Sequence, residues 1–204
     1  MLVLGIDPGT ASTGYGFVRA DGSRLDAVDG GMIETRAGVA PERRLAAIHS
    51  RICTLLDRHR PDAMAIEELY FGVNVQTAFA VGQGRGVVLL AAGQRAIPAR
   101  GYTPQQVKSA VCGSGRASKD QVARMVARLL SLDAAPRPDH IADAFAVAIC
   151  HLNAAPLQRT VEASGAPRAI RARGGTEDQM TGPGERGRPV EPSAALAALA
   201  KGGG

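Results

Sequence analysis

Three features of the sequence predict an α/β domain built on a mixed β-sheet. Short apolar runs end at turn-forming residues, as residues 2–6 end at Asp7-Pro8-Gly9, which is typical of buried strands. Three such strands come first, and later strands alternate with segments whose apolar residues repeat at helical spacing. From about residue 156 the periodicity fades and Gly, Pro and Arg dominate. We therefore expect one domain over residues 1–156 and a disordered, low-complexity tail over 157–204.

The predicted elements follow one another with clear boundaries. Three strands cover residues 2–6, 13–18 and 25–35, and a helix then begins at Pro41 and stops before Pro61. The remaining elements are a strand at 62–67, a helix at 74–92, a strand at 97–102, a short helix from Thr103-Pro104, a helix capped by Ser118 and a final helix at 140–151. The predicted order is βββαβαβααα.

Net charge and cysteine content exclude few classes of function. The net charge is +5 and the pI about 9.6, but residues 1–156 hold 17 Lys/Arg against 14 Asp/Glu. A polyanion partner and an ordinary basic surface are about equally compatible with this excess. Three widely spaced cysteines without a C-x-x-C pattern predict free thiols, and no uncharged apolar run reaches 18 residues. We expect a soluble, cytoplasmic protein.

Carboxylates follow two of the predicted strands. Asp7 ends the first strand and Glu67 ends the fourth, and a helix connects the two strands. A right-handed crossover would make neighbouring strands parallel, so both acids would lie at one edge of the sheet. Because an unpaired buried carboxylate is costly, two converging acids either share a proton or bind a cation.

The final helix adds two further candidate ligands. His140 and Asp143 are spaced i, i+3 on a helix that is otherwise apolar, so they share one face. Hard divalent cations such as Mg²⁺ prefer carboxylate oxygens, whereas an imidazole ligand favours Mn²⁺ somewhat. The sequence therefore predicts a metal site that includes these two residues.

Four segments together resemble the RuvC family of Holliday-junction resolvases. In chain order they are Gly5-Ile6-Asp7-Pro8-Gly9, Ala65-Ile66-Glu67, Gly82-Gln83-Gly84-Arg85-Gly86 and Ala142-Asp143-Ala144-Phe145-Ala146. The resemblance implies a ribonuclease-H-like fold with a mixed five-stranded sheet flanked by helices. It also implies a homodimer and a partnership with the RuvA–RuvB branch-migration complex.

The family's four metal ligands carry over to Asp7, Glu67, His140 and Asp143 as catalytic residues. His140 is a departure, because many members have Asp at this position. The neighbouring Asp139 is the alternative ligand, although it suits a helix N-cap after Pro138. Glu68 alternates to the opposite side of an extended strand and is expected outside the ligand set.

The resemblance implies phosphodiester hydrolysis with two Mg²⁺ ions per site, with Mn²⁺ as a possible preference. Symmetric cleavage of two strands of like polarity in a four-way junction would leave 5′-phosphate and 3′-hydroxyl ends that ligase seals. A C2 dimer would present two such sites, and the helix at 74–92 is the candidate interface.

Candidate DNA contacts surround the predicted site. The chain has 21 Arg and three Lys, and Lys108 and Lys119 stand where the family has phosphate-binding lysines; the alternative is two solvated surface lysines. Arg85, between Gly84 and Gly86, is a further candidate phosphate ligand or an ordinary surface charge.

The loop after Glu67 is the candidate contact to the junction centre. Tyr70, Phe71 and Asn74 follow this strand directly, and an aromatic ring there would stack on an unpaired base. The alternative is an aromatic residue that fills the core.

Two other functions remain compatible with the sequence. One is a junction-binding protein that no longer cleaves DNA; the presence of His140 where many members have Asp leaves this function open. The other is a ribonuclease-H-like nuclease that acts on RNA or RNA–DNA hybrids.

Overall fold

The computed structural model describes residues 1–68 and 75–163. Within these ranges the elements follow the predicted order βββαβαβααα. The strands are β1 (Leu2–Asp7), β2 (Ser12–Asp21), β3 (Arg24–Glu34), β4 (Ala63–Glu67) and β5 (Ala99–Tyr102). The helices are α1 (Pro41–His59), α2 (Val75–Gly93), α3 (Pro104–Cys112), α4 (Lys119–Leu129) and α5 (Asp139–Ala163).

The five strands form one mixed sheet in the order β3-β2-β1-β4-β5. β1 pairs with β2, and β2 with β3, in antiparallel orientation, whereas β4 lies parallel to both β1 and β5. The predicted α/β class and the parallel pairing of the first and fourth strands are therefore confirmed.

The final helix is longer than the sequence pattern predicts. We expected it to cover residues 140–151, but α5 runs from Asp139 to Ala163 and continues through Pro156. Proline removes one backbone donor from a helix, and neighbouring helical bonds can persist on either side of it. The helix thus extends seven residues past the predicted domain boundary at 156, and the predicted tail from 164 onward lies outside the described residues.

Helices cover both faces of the sheet. One apolar cluster joins α1 and α2 to Leu4, Ile6 and Ile66, and a second joins α3, α4 and α5 to Val3 and Ala65. Because side chains alternate along a strand, the last residues of β1 and β4 point to the same side as Val3 and Ala65. The alternation therefore directs both terminal carboxylates toward α5.

Glycines in the sheet allow α5 to approach β1 and β2 closely. A Cβ atom on Gly5 would collide with the carbonyl oxygen of Ala144, and one on Gly14 would collide with the carbonyl oxygen of His140. In the sheet register Gly14 is the partner of Asp7. The absence of two methyl groups therefore sets the separation between the start of α5 and the end of β1.

All three cysteines lie within the described ranges. Cys53, Cys112 and Cys150 are free thiols, and Cys150 is buried. No helix within residues 1–68 or 75–163 is long and apolar enough to cross a membrane.

Gly14→Ala should destabilise the fold, because the added methyl group requires α5 or β2 to move. The expected loss is about 1–3 kcal/mol in the free energy of unfolding, the usual cost of overpacking. Chemical denaturation measures it. Gly93→Ala is the control, since a Cβ atom there meets no atom within 4 Å. Equal stability of Gly14→Ala and the wild-type protein would contradict the close-packing argument.

Candidate active site

The two strand-terminal carboxylates lie on adjacent parallel strands. Ile6 of β1 pairs with Ile66 of β4, so Asp7 and Glu67 are the next residues on each strand. The Asp7 side chain is only 16% exposed. The predicted placement of both acids at one edge of the sheet is therefore observed.

The first turn of α5 brings two more candidate residues to this edge. The Nδ1 atom of His140 lies 2.6 Å from Oδ2 of Asp7, within hydrogen-bond distance. One turn later, Oδ2 of Asp143 lies 3.6 Å from Nζ of Lys119 at the start of α4. The site thus joins residues from β1, β4, α4 and α5.

A cavity of about 290 Å³ collects these side chains. Its lining combines three carboxylates, one imidazole, two lysines and an apolar wall: Asp7, Glu67, His140, Asp143, Lys108, Lys119, Pro104, Val107 and Val122. All four predicted catalytic residues and both predicted lysines therefore line one cavity. The apolar wall was not predicted, because Val107 and Val122 are indistinguishable in sequence from ordinary core residues of α3 and α4.

Burial and mutual repulsion change the acidity of the carboxyl groups. Burial, followed by the charges of Asp7 and Asp143, raises the pKa of Glu67 to about 8. Burial also raises the pKa of Asp143, although the neighbouring Lys119 ammonium opposes this change. With all three carboxyl groups ionised, the cavity would hold more negative charge than its two lysines compensate, and protonation of Glu67 or a bound cation would relieve the repulsion.

The donor set fits a divalent cation. Three carboxylates and an imidazole are ligands that Mg²⁺ and Mn²⁺ accept. In the ranges that the structure describes, no group of three His, Cys, Asp or Glu side chains is arranged to hold a metal ion. Instead, His140 contacts Asp7 and Asp143 pairs with Lys119, so metal binding would require these side chains to change partners.

Comparison with known proteins identifies the family. The family model described as "Crossover junction endodeoxyribonuclease RuvC" matches residues 3–151. A protein of that name from Moorella thermoacetica is 54% identical over 166 residues, which cover 81% of this chain and 99% of the relative. The chain belongs to the RuvC family.

Solved RuvC structures share the fold. The Thermus thermophilus RuvC structure has a TM-score of 0.73 and 39% identity, and the match covers 78% of this chain and 97% of that one. The T. thermophilus RuvC in complex with Holliday junction substrate gives a TM-score of 0.72 and 37% identity, over 77% and 96% of the two chains. The ribonuclease-H-like expectation is thereby confirmed.

Two acids adjacent to the RuvC motif residues lie outside the cavity. Asp139 is exposed, is the first residue of α5, and pairs with Arg137 at 2.9 Å. It is therefore not the N-cap residue that precedes the helix. Glu68 lies over Gly101 of β5, so its side chain is directed away from the cavity. His140 therefore lines the cavity and the alternative ligand Asp139 does not, and Glu68 lies outside the cavity as expected.

Of the other predicted DNA contacts, the structure describes only Arg85. Arg85 lies on α2 and does not line the cavity, although the adjacent Gly84 approaches the Gly9 carbonyl. Tyr70, Phe71 and Asn74 lie outside the described residues. Their assignment stays a prediction.

The sequence analysis missed the hydroxyl groups that support the turn after Asp7. Thr13 is completely buried and donates a hydrogen bond to the Gly9 carbonyl at 2.5 Å, and Thr35 donates to the Thr10 carbonyl at 2.5 Å. Arg44 in turn donates to Thr35. Threonine is common in strands, so the sequence contains no specific signal for this support.

Glu67→Gln should remove a pH dependence from the stability of the metal-free protein. The pKa of Glu67 is about 8 when folded against an ordinary value of 4.5, so the folded state binds more protons between these values. The contribution of this bound proton to the free energy of unfolding is therefore fully present below about pH 4.5 and is lost as pH rises toward 8.

Chemical denaturation with a chelator across pH 5–9 tests this expectation. The wild-type free energy of unfolding should fall with pH more steeply than that of Glu67→Gln. Parallel pH profiles would show that Glu67 does not carry the raised pKa.

Proposed function

We propose that this protein is a Holliday-junction resolvase, a structure-selective endonuclease that cuts two strands of like polarity in recombinational DNA repair. The observation that carries the proposal is the convergence of Asp7, Glu67, His140 and Asp143 in one cavity beside two lysines. Family membership and the junction complex of the T. thermophilus relative support the same substrate.

We infer that two divalent cations, Mg²⁺ or Mn²⁺, bind in this cavity during the reaction. Asp7, Glu67, His140 and Asp143 would hold the ions, since all four line the same cavity. When bound, the cations would activate water and stabilise the departing 3′ oxygen. The buried, mutually repelling carboxylates support cation binding.

The protein's own residues would orient the DNA. Lys119 and Lys108 line the cavity beside the acids, and their ammonium groups would bind phosphates of the DNA near the scissile bond. The apolar wall of Val107 and Val122 would limit the water that reaches the site. In-line attack would leave a 5′-phosphate and a 3′-hydroxyl.

The outer surface of α2 supports the proposed homodimer. Phe79 is 69% exposed and Leu90 is 55% exposed, which is unusual for large apolar side chains. A Cβ atom on Gly82 or Gly86 would meet no atom within 4 Å, so a second helix has room to approach the backbone. A twofold pair would present two active sites to one junction.

Two further parts of the proposal rest on the family resemblance. The first is the partner: the protein would receive its junction substrate from the RuvA–RuvB branch-migration complex. The second is the location: an enzyme that acts on DNA would work in the cytoplasm. A binding assay with purified RuvA and RuvB tests the partner, and cell fractionation tests the location.

Asp7→Asn should abolish cleavage of a synthetic four-way junction while binding is retained. The amide keeps the size of the side chain and a hydrogen-bond acceptor for His140, but it is a poor metal ligand. The expected loss in single-turnover rate exceeds about a hundredfold, since even partners of metal ligands contribute 10–100-fold.

Asp139→Asn is the matched control, because this adjacent acid is exposed and outside the cavity. It should cleave at the wild-type rate. Normal cleavage by Asp7→Asn would refute the site assignment. Binding without nicking by the wild-type protein in both metals would favour the non-cleaving alternative, and preferred cleavage of an RNA–DNA hybrid would favour the other nuclease class.

His140→Asp should shift the metal preference of cleavage. A carboxylate suits Mg²⁺ better than an imidazole does, so the ratio of the Mg²⁺ rate to the Mn²⁺ rate should rise severalfold. Junction cleavage in each metal alone measures this ratio. An unchanged ratio would indicate that residue 140 is not a metal ligand.

A further inference from the structure

Helix α4 presents different surfaces to the active site and to a second cavity. Lys119 and Val122 line the active-site cavity, whereas Gln121, Arg124 and Arg128 recur at helical spacing on another side. Together with Ser114 and Arg116 from the loop after α3, these three residues line a cavity of about 610 Å³. We refer to these five residues as the α3–α4 groove.

The groove carries three positive charges without an acidic residue in its lining. Arg116, Arg124 and Arg128 are all exposed, and none forms an ion pair within 4.0 Å among residues 1–68 and 75–163. Asp120 lies one turn before Arg124 and is also exposed, but the two side chains are not paired.

Some arginines elsewhere in the described residues pair with acids. Arg24 pairs with Asp26, and Arg95 with Asp57. The three groove guanidinium groups are exposed and form no such pair among residues 1–68 and 75–163, so they are available to an anionic partner.

We propose that the α3–α4 groove binds the phosphate backbone of a duplex arm next to the cleaved strand; this inference rests on the proposed resolvase function. Guanidinium groups bind phosphate oxygens through two parallel hydrogen bonds, and Ser114 and Gln121 add neutral donors of the kind that contact DNA backbones. Such contacts position the DNA without reading its sequence.

Continuity with the active site favours DNA over an acidic protein as the occupant. The groove and the cavity share α4, whose 11 residues span about 16 Å. That length corresponds to about five nucleotides at 3.4 Å per nucleotide along one strand. The groove therefore lies within reach of a duplex arm whose strand enters the active-site cavity.

The test removes two groove charges and measures how salt affects junction binding. The double variant Arg124→Gln/Arg128→Gln is compared with Arg51→Gln/Arg58→Gln, which removes two exposed arginines from α1 on the opposite face of the sheet. Loss of two phosphate contacts should reduce the slope of log K against log salt by about 1.8. Between 50 and 200 mM salt, the wild-type protein should then lose about tenfold more affinity than the groove variant.

The control variant should keep the wild-type slope. Arg124→Lys/Arg128→Lys preserves both charges and should restore most of the slope, which confirms that the positions tolerate substitution. Equal slopes for the groove variant and the wild-type protein would overturn the proposal. So would equal reductions in the groove and α1 variants, since the effect would then be that of net charge.

Cleavage at saturating protein separates this proposal from the proposed function. All variants should cut a four-way junction at similar single-turnover rates, because none alters the active-site cavity. If the wild-type protein binds with the expected salt slope but does not cut, the resolvase function fails while the groove assignment stands.

Discussion

The arrangement of the site depends on how closely α5 can lie against the sheet. Gly5 faces the backbone of α5 near Ala144, and Gly14 faces it at His140. Gly14 also pairs with Asp7, so the residue that admits the helix is adjacent to the carboxylate that the helix must reach. Since cores are packed without free space, a methyl group at either position requires a backbone shift. The hydrogen bond between His140 and Asp7 is thus a consequence of missing side chains on neighbouring strands.

Strand parity is the second constraint on the site. Val3 and Ala65 belong to the apolar cluster under α5, and residues two or four positions further along each strand point to the same side. Asp7 and Glu67 occupy such positions, at the point where each strand leaves the core. A shift of one residue in either strand would direct its carboxylate toward α1 and α2 instead. The register of β1 with β4 therefore decides whether a shared cavity exists.

Much of this architecture was predictable because it depends on local signals. Apolar periodicity and turn residues gave the element order, and the crossover rule gave the parallel pairing of the strands that carry Asp7 and Glu67. The long C-terminal half of α5 was not predictable, because Pro156 and a change of composition resemble a helix end. Long-range contacts were also hidden: the buried Thr13 hydroxyl and the apolar wall at Val122 are visible only once distant segments are packed together.

The balance of charge gives a physical reason why histidine is acceptable at position 140. Burial and two neighbouring carboxylates already raise the pKa of Glu67 to about 8. A fourth carboxylate beside Asp7 would increase this repulsion in the metal-free protein, whereas His140 donates a hydrogen bond to Asp7 when its Nδ1 atom carries the proton. Histidine in place of aspartate at position 140 lowers the electrostatic cost of folding without cations, and it also removes one negative charge that would attract cations. Histidine thus favours the stability of the empty site, while aspartate would favour its occupancy by a hard cation.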